Sequence, residues 1–311
     1  MQIFNELTYI NNSSLVLGYF DGLHLGHKVV LKNAINFAKE NNIKSTVIIF
    51  RNHPLNVISN KSIEQILTLD EKLEIFQQTG IDNVILLNFE DYAAIKAAFY
   101  LENIIVKYFS PLAITTGFNH SFGFNKEGNN EFLRRYSKKY GYKYFEIPPF
   151  TIDGNIVSCS IIKNMIKQAN FYYANKLLGY NFFIREKVIT GDNIASKMGF
   201  ASANIVYPVG KIQIPFGVYF VKVKVDNKLY SGILNHGYAP TINNTDKIKM
   251  EVHIINFNDN IYGKKIEISF IAKIRNQIKF DNIEKLKAQI IRDIAFTEIH
   301  EKFLTSRFHF L

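Results

Sequence analysis

Strand-length apolar runs alternate with helix-period segments through roughly the first half of the chain. That alternation restricts the fold more than any other feature. "SLVLGYF" (14–20) reads as a strand, and 27–41 as a helix with Val30, Ala34, Phe37 and Ala38 on one face. "STVIIF" (45–50) is a second strand. "LTLDEKLEIFQQTG" (67–80) is a helix with a capping-type start and a terminal glycine. "NVILLNF" (83–89) is a strand, 92–108 a helix, "LAITTGF" (112–118) a strand, 130–141 a helix and 142–148 a strand. Strand and helix in turn build βαβ units, and their parallel sheet is buried on both faces. Helices over 158–168 and 171–179 close this half.

The period then changes. "GVYFVKVKV" (217–225), "LYSGIL" (229–234), "KMEVHIINF" (249–257) and "KKIEISFIAKI" (264–274) are short strands, with turns at "DNK" and "NDN". Such a run makes an antiparallel barrel or sandwich. Residues 282–304 form a charged amphipathic terminal helix. The change near 180–187 predicts an α/β domain over 1–183 and a small β domain over 184–311. A length of 311 residues agrees with two domains, and 47% hydrophobic residues can supply their cores.

Cys159 is the one cysteine, so no internal disulfide framework is available. The first residues lack the basic and apolar regions of a signal peptide, and no apolar run reaches about 18 residues. A cytoplasmic protein without membrane spans is expected. A net charge of +10 suits either a nucleic-acid or membrane surface or small anionic ligands such as nucleotides. The lysines are scattered. The cluster at 134–139 reads as solvated helix surface.

The densest chemistry lies in "GYFDGLHLGH", where a strand becomes a helix. A helix N-terminus in a βαβ unit gathers N–H groups and a positive dipole end, which suits phosphate. Gly26 has no Cβ, so phosphate can approach the backbone. His24 and His27 flank it and can donate to phosphate oxygens as charge develops at phosphorus. Two incidental loop histidines are the bland alternative. A zinc site is a weaker rival, because no Cys or carboxylate stands at ligand spacing.

This opening resembles "G-x-F-D-G-x-H-x-G-H" of the bacterial bifunctional riboflavin kinase/FMN adenylyltransferase family. "HPL" (53–55), "LTLDEKLEIFQQTGID" (67–82), "GFNHSFG" (117–123), "VSCSIIK" (157–163) and "LLGYNF" (177–182) follow in the family's order. So do "GFASAN" (199–204), "PFGVY" (215–219), "GYAPT" (237–241), "EVHIINFNDNIYG" (251–263) and "IR" (274–275). The resemblance implies a Rossmann-like nucleotidyltransferase domain followed by a six-stranded riboflavin kinase barrel. ATP and riboflavin would give FMN at the barrel, and ATP and FMN would give FAD at the α/β domain, with Mg²⁺ at both.

By that resemblance His24 and His27 stabilise the ATP phosphates. Gly18, Phe20, Asp21, Gly26, Gly117, Asn119, Gly123, Ser158, Ser160 and Lys163 line the nucleotide or flavin pocket. In the barrel, Ser202 and Asn204 hold Mg²⁺ with ATP, and Glu251 activates the ribityl hydroxyl. Gly191 and Gly199 belong to the flap, and Arg275 to the flavin end. Self-association remains open, while nucleic acid and membrane are not expected partners.

The chain departs from the family pattern at several points. Cys159 stands for Ser, Ser160 for Thr, and Lys163 and Lys126 for arginines; Lys keeps the charge but not the bidentate fork. In the barrel half, Ala195, Ser196, Ala201, Ser202 and Ala239 replace Gly, Arg, Pro, Thr and Arg. These changes leave a second reading open, an adenylyltransferase alone with a barrel that only binds flavin or braces the chain. A third is a basic RNA-binding regulator, though no RNP- or KH-type motif is present.

Overall fold

The computed structural model describes residues 1–59, 62–190, 202–238 and 248–307. It forms two compact units, Met1–Ile161 and Ile162–Leu311.

The first unit is built on six parallel strands: β1 (Gln2–Phe4), β2 (Ser13–Leu17), β3 (Lys44–Phe50), β4 (Asn83–Leu87), β5 (Ala113–Gly117) and β6 (Lys143–Ile147). Their order is β1-β4-β3-β2-β5-β6, with every pairing parallel. β2 and β4 are buried along their whole lengths, as continuous apolar runs in such a sheet require. β1 was not foreseen. Three residues give no readable period, and only pairing with β4 makes them a strand.

Three main helices connect the strands. α1 (Leu25–Glu40) buries Val30, Leu31, Ala34, Ile35, Phe37 and Ala38, the foreseen face widened by two residues. α2 (Leu69–Thr79) starts at a reciprocal capping box. The Glu71 N–H donates to Thr68 Oγ1, the Thr68 N–H donates to Glu71 Oε2, and Gly80 ends the helix in the left-handed region. α3 (Asn130–Tyr140) is capped by Asn129 and stopped by Gly141. The helix expected over 92–108 starts later, at Ala97, and Tyr100–Val106 winds as a π-helix. Tyr100, Leu101, Ile104, Ile105 and Phe109 from this region are buried against the sheet core.

α4 (Cys159–Lys167) and α5 (Phe171–Leu178) follow. The second unit holds six antiparallel strands: β7 (Phe183–Lys187), β8 (Ser202–Ile205), β9 (Gly217–Val225), β10 (Lys228–Tyr238), β11 (Ile248–Ile254) and β12 (Lys265–Arg275). They run in the order β7-β12-β9-β10-β11-β8. The sheet curls until its two outer strands approach. The Ile189 N–H, just after β7, donates to the Asn204 carbonyl in β8 at 2.8 Å. This bridge joins the sheet's ends into a small barrel.

The change of period puts a boundary at 183/184, whereas the compact units divide at Ile161/Ile162. α5 accounts for the difference. Phe171 stacks on Phe270 at 5.0 Å, and Asn175 donates to the Phe270 carbonyl at 2.9 Å. The Phe182 N–H donates back to Asn175 Oδ1 at 2.7 Å. α5 is therefore fixed to β12, although its sequence period is that of the first half.

The terminal helix α6 (Ile283–Arg307) lies on the barrel. Arg275 Nε and Nη2 grip the Asp293 carboxylate, with Nη2–Oδ2 at 2.8 Å, and Gln289 adds a third donor. Glu301 accepts from Lys222 and from Ser231. The Asp293 side chain is 3% exposed and that of Arg275 17%. Asp293→Ala strands a mostly buried guanidinium, so unfolding of the barrel should become easier by about 3–5 kcal/mol. A denaturant titration measures the loss.

Candidate active sites

β2 occupies the point where the first sheet parts. The chain passes from β2 to β3 on one side and returns to β5 on the other. In such sheets the loops beyond the carboxyl ends at the parting form a crevice. The segments after β2 and β5 are "GYFDGLHLGH" and "GFNHSFG".

After β2 the backbone turns sharply. Phe20 takes the left-handed conformation and Asp21–Leu23 form a short 3₁₀ turn. A Cβ on Gly18 would lie 2.7 Å from the Phe20 ring, so glycine lets that ring fold inward. Phe20 then meets His27 edge-on at 5.1 Å and Phe76 at 6.0 Å. Asp21 is buried and accepts the Ile66 N–H at 2.9 Å. The contacts seen for Gly18, Phe20 and Asp21 all shape this turn.

His24 caps α1 through its side chain. Its Nδ1 accepts the His27 N–H at 3.3 Å, so the neutral ring carries its proton on Nε2. The two imidazoles stack with centroids 3.6 Å apart and planes 18° apart. His27 Nδ1 is buried without a hydrogen-bond partner. A Cβ on Gly26 would sit 3.2 Å from the His24 ring, a tight approach that glycine avoids. Burial pushes His24 down to about 4, against a partial lift from Asp21. Burial also pushes His27 well below its usual range, helped by the charges of His24 and Lys72. Both rings are therefore neutral near pH 7.

Lys72 was missed by sequence reasoning. It is 1% exposed, and its Nζ donates to the Tyr19 carbonyl at 3.3 Å and sits 4.1 Å over the Tyr19 ring. A lysine on the buried side of an amphipathic helix was the available signal.

Beyond β5, Asn130 Nδ2 donates to the carbonyls of Gly117 and Phe118, at 3.1 and 2.9 Å. Gly123 has φ 75°, and a Cβ there would meet the Ala97 backbone at 2.7 Å, so only glycine fits. The loop is thereby held while Asn119 stays exposed. Gly117 has open space around it: a Cβ there would find its nearest neighbour, Asn119 Oδ1, 3.8 Å away. His120, also missed, is half-buried, with its Nε2 enclosed and unpartnered, and is pushed down to about 4 by desolvation.

Ser158 Oγ accepts the Ile161 N–H at 3.4 Å and so caps α4. Ser160 is exposed on α4, and Lys163 is half-buried.

In the barrel, Ser202 and Asn204 alternate on β8 and so share a face. Glu251 on β11 lies directly opposite Asn204, and Asn235 on β10 directly opposite Glu251. Asn204, Glu251 and Asn235 thus form a polar row across three strands. The alternate residues Ala203, Ile205, Met250 and Val252 are buried on the other face. Asn235 had no motif to announce it; only register brings it to the row. Ser202 also lines a cavity of about 350 Å³ with Asn258, Asp259, Asn260 and Tyr262. Arg275, expected at the flavin end, is committed to Asp293. Gly191, Gly199, Ala195, Ser196, Ala201 and Ala239 lie outside the described residues.

Comparison with known proteins agrees with this division. Residues 7–161 match the FAD synthetase family model, and residues 178–300 match the riboflavin kinase model. The bifunctional riboflavin kinase/FMN adenylyltransferase of Buchnera aphidicola subsp. Schizaphis graminum is 35% identical over 94% of this chain and 96% of its own. The Haemophilus influenzae protein of the same description is 31% identical over 93% and 94%. A solved structure from Streptococcus pneumoniae, described as a macrolide-efflux protein, covers 96% of this chain and 99% of its own, with a TM-score of 0.85 and 26% identity. Among the described residues no helix is long and apolar enough to cross a membrane.

A parallel nucleotidyltransferase-type sheet and a kinase-type barrel thus share one chain, and both are transferase folds. The chain belongs to the bifunctional riboflavin kinase/FMN adenylyltransferase family.

The buried histidines make stability depend on pH. His24 has a folded pKa near 4 and an unfolded value near 6.5, so between these the unfolded chain binds more protons. Stability is full above pH 6.5 and falls as pH drops toward 4; His27 and His120 act in the same direction. The His24 Cε1–H resonance should titrate with a midpoint about 4, and the denaturation midpoint of the full chain should fall between pH 7 and 5.

Proposed function

We propose that the first unit transfers the adenylyl group of ATP to FMN, giving FAD and pyrophosphate, and that the barrel transfers the γ-phosphoryl group of ATP to riboflavin. The observation that carries the first assignment is the stacked His24–His27 pair capping α1 beside the sheet's parting. The α1 dipole favours anionic oxygens at that end. His24 Nε2–H is the donor left after Nδ1 has taken the His27 N–H. Neutral rings donate without placing a cation in the desolvated pocket. They gain positive character as phosphate approaches, so stabilisation grows with the charge at phosphorus. Asn119 and Gly117 offer a polar side chain and unobstructed backbone for the nucleotide or flavin. Ser158, Ser160 and Lys163 are assigned to the phosphates.

In the barrel, the carboxylate of Glu251 is the group assigned to orient and deprotonate the ribityl hydroxyl. Ser202 and Asn204 share its face, and their oxygen donors fit a hard cation such as Mg²⁺. Mg²⁺ held there would neutralise charge on the transferring phosphates. The reading includes a cytoplasmic setting, riboflavin, FMN and ATP as partners, and no nucleic acid or membrane.

His27→Ala should lower FAD formation about 10²- to 10³-fold, the range for loss of an oxyanion donor, and leave FMN formation unchanged. Glu251→Gln should reverse the pattern, lowering FMN formation about 10²- to 10⁴-fold while added FMN still yields FAD. Chromatography of products from riboflavin, ATP and Mg²⁺ reads both. Equal loss of both activities in a folded variant would overturn the division of labour.

A further inference from the structure

The histidine pair has a neighbour that sequence spacing does not reveal. One ligand atom from each of His24, His27 and Cys159 lies within 4.8 Å of the others. Among the described residues no other group of His, Cys, Asp or Glu is brought together in this way. The Cys159 thiol donates to the Asp21 carbonyl at 3.1 Å, which ties it to the turn that carries His24. His27 Nδ1 is buried there with no hydrogen-bond partner, a state that favours any group able to satisfy it.

We propose that His24, His27 and Cys159 form a site for a thiophilic divalent cation of the Zn²⁺ class, and that its occupancy shuts off adenylyl transfer alone. Two imidazole nitrogens and a thiolate suit Zn²⁺ or Co²⁺, whereas Mg²⁺ requires oxygen ligands. Metal–ligand bonds of about 2.0–2.3 Å draw tetrahedral donors to about 3.3–3.8 Å from one another, so the stacked rings must turn and close by about an ångström. On binding, the thiol proton passes to solvent and the metal takes its place on sulfur. The Asp21 carboxylate beside His24 favours the cation, and the Lys72 ammonium beside His27 opposes it. Three protein donors leave a fourth position for water. Inhibition rests on the reading that this pair serves adenylyl transfer, since a ring nitrogen bound to metal cannot donate to phosphate. The site itself does not rest on that reading.

The test uses the full chain and Co²⁺ as the spectroscopic probe. A single equivalent should give a thiolate-to-cobalt charge-transfer band with tetrahedral visible bands, and Zn²⁺ should bleach both. Cys159→Ser, checked for folding by circular dichroism, should lose the charge-transfer band, and Cys159→Ala should match it. With Mg²⁺ in excess, stoichiometric Zn²⁺ should lower FAD formation by at least about tenfold, as occupancy above nine-tenths requires. FMN formation in the same tube should be unchanged, which controls for Zn²⁺ bound to ATP. FAD formation by Cys159→Ser should resist Zn²⁺. An absent charge-transfer band, or one that survives in Cys159→Ser, overturns the site. Cobalt bands in a chain that makes no FAD overturn the activity assignment and leave the site standing. Equal loss of FMN and FAD overturns the selectivity.

Discussion

The hydrogen bond from the His27 N–H to His24 Nδ1 organises the first unit's chemistry. It caps α1, fixes the tautomer of His24 and brings the two rings into a stack. It forms only because β2 ends at the sheet's parting and the backbone turns through a left-handed Phe20. Gly18 and Gly26 admit that turn, one by yielding to the Phe20 ring and the other to the His24 ring. Desolvation then holds both imidazoles neutral. Cap, turn and proton state are consequences of one short segment leaving a parallel strand.

The barrel reaches a polar site by a different route. Its register sets Asn204, Glu251 and Asn235 in one row, while alternate residues fill the interior. A slip of one residue would send the whole row inward. The Ile189–Asn204 backbone bond that joins the curled sheet's ends uses a residue of that row, so closure and site geometry are coupled. Arg275 belongs to the same logic. As a strand-end charge it could have faced a ligand, but α6 brings Asp293 against it, and a mostly buried guanidinium takes its nearest carboxylate.

Local pattern made most elements legible. Continuous apolar runs marked β2 to β5, and helix period with caps marked α1, α2 and α3, because these signals arise within a few residues. β1, β7 and β8 escaped, being short and strand-like only through their partners. Period identifies α5 as a helix but not its packing on β12, because period records conformation and not what a face packs against. The resemblance supplied the motif residues, and their order along the chain carried it. It did not supply Lys72, His120 or Asn235, which no motif flags.

By itself, the sequence determined the two classes of structure, their order along the chain, and the histidine pair at a strand-to-helix turn. Those depend on side-chain period and local backbone preference, which act over a turn or two. Only the tertiary structure decided that Cys159 stands beside His24 and His27, that Asn235 joins Glu251, and that Arg275 is held by Asp293. Such contacts join residues far apart in the chain, and their distances are set by how whole elements pack, which no local spacing encodes.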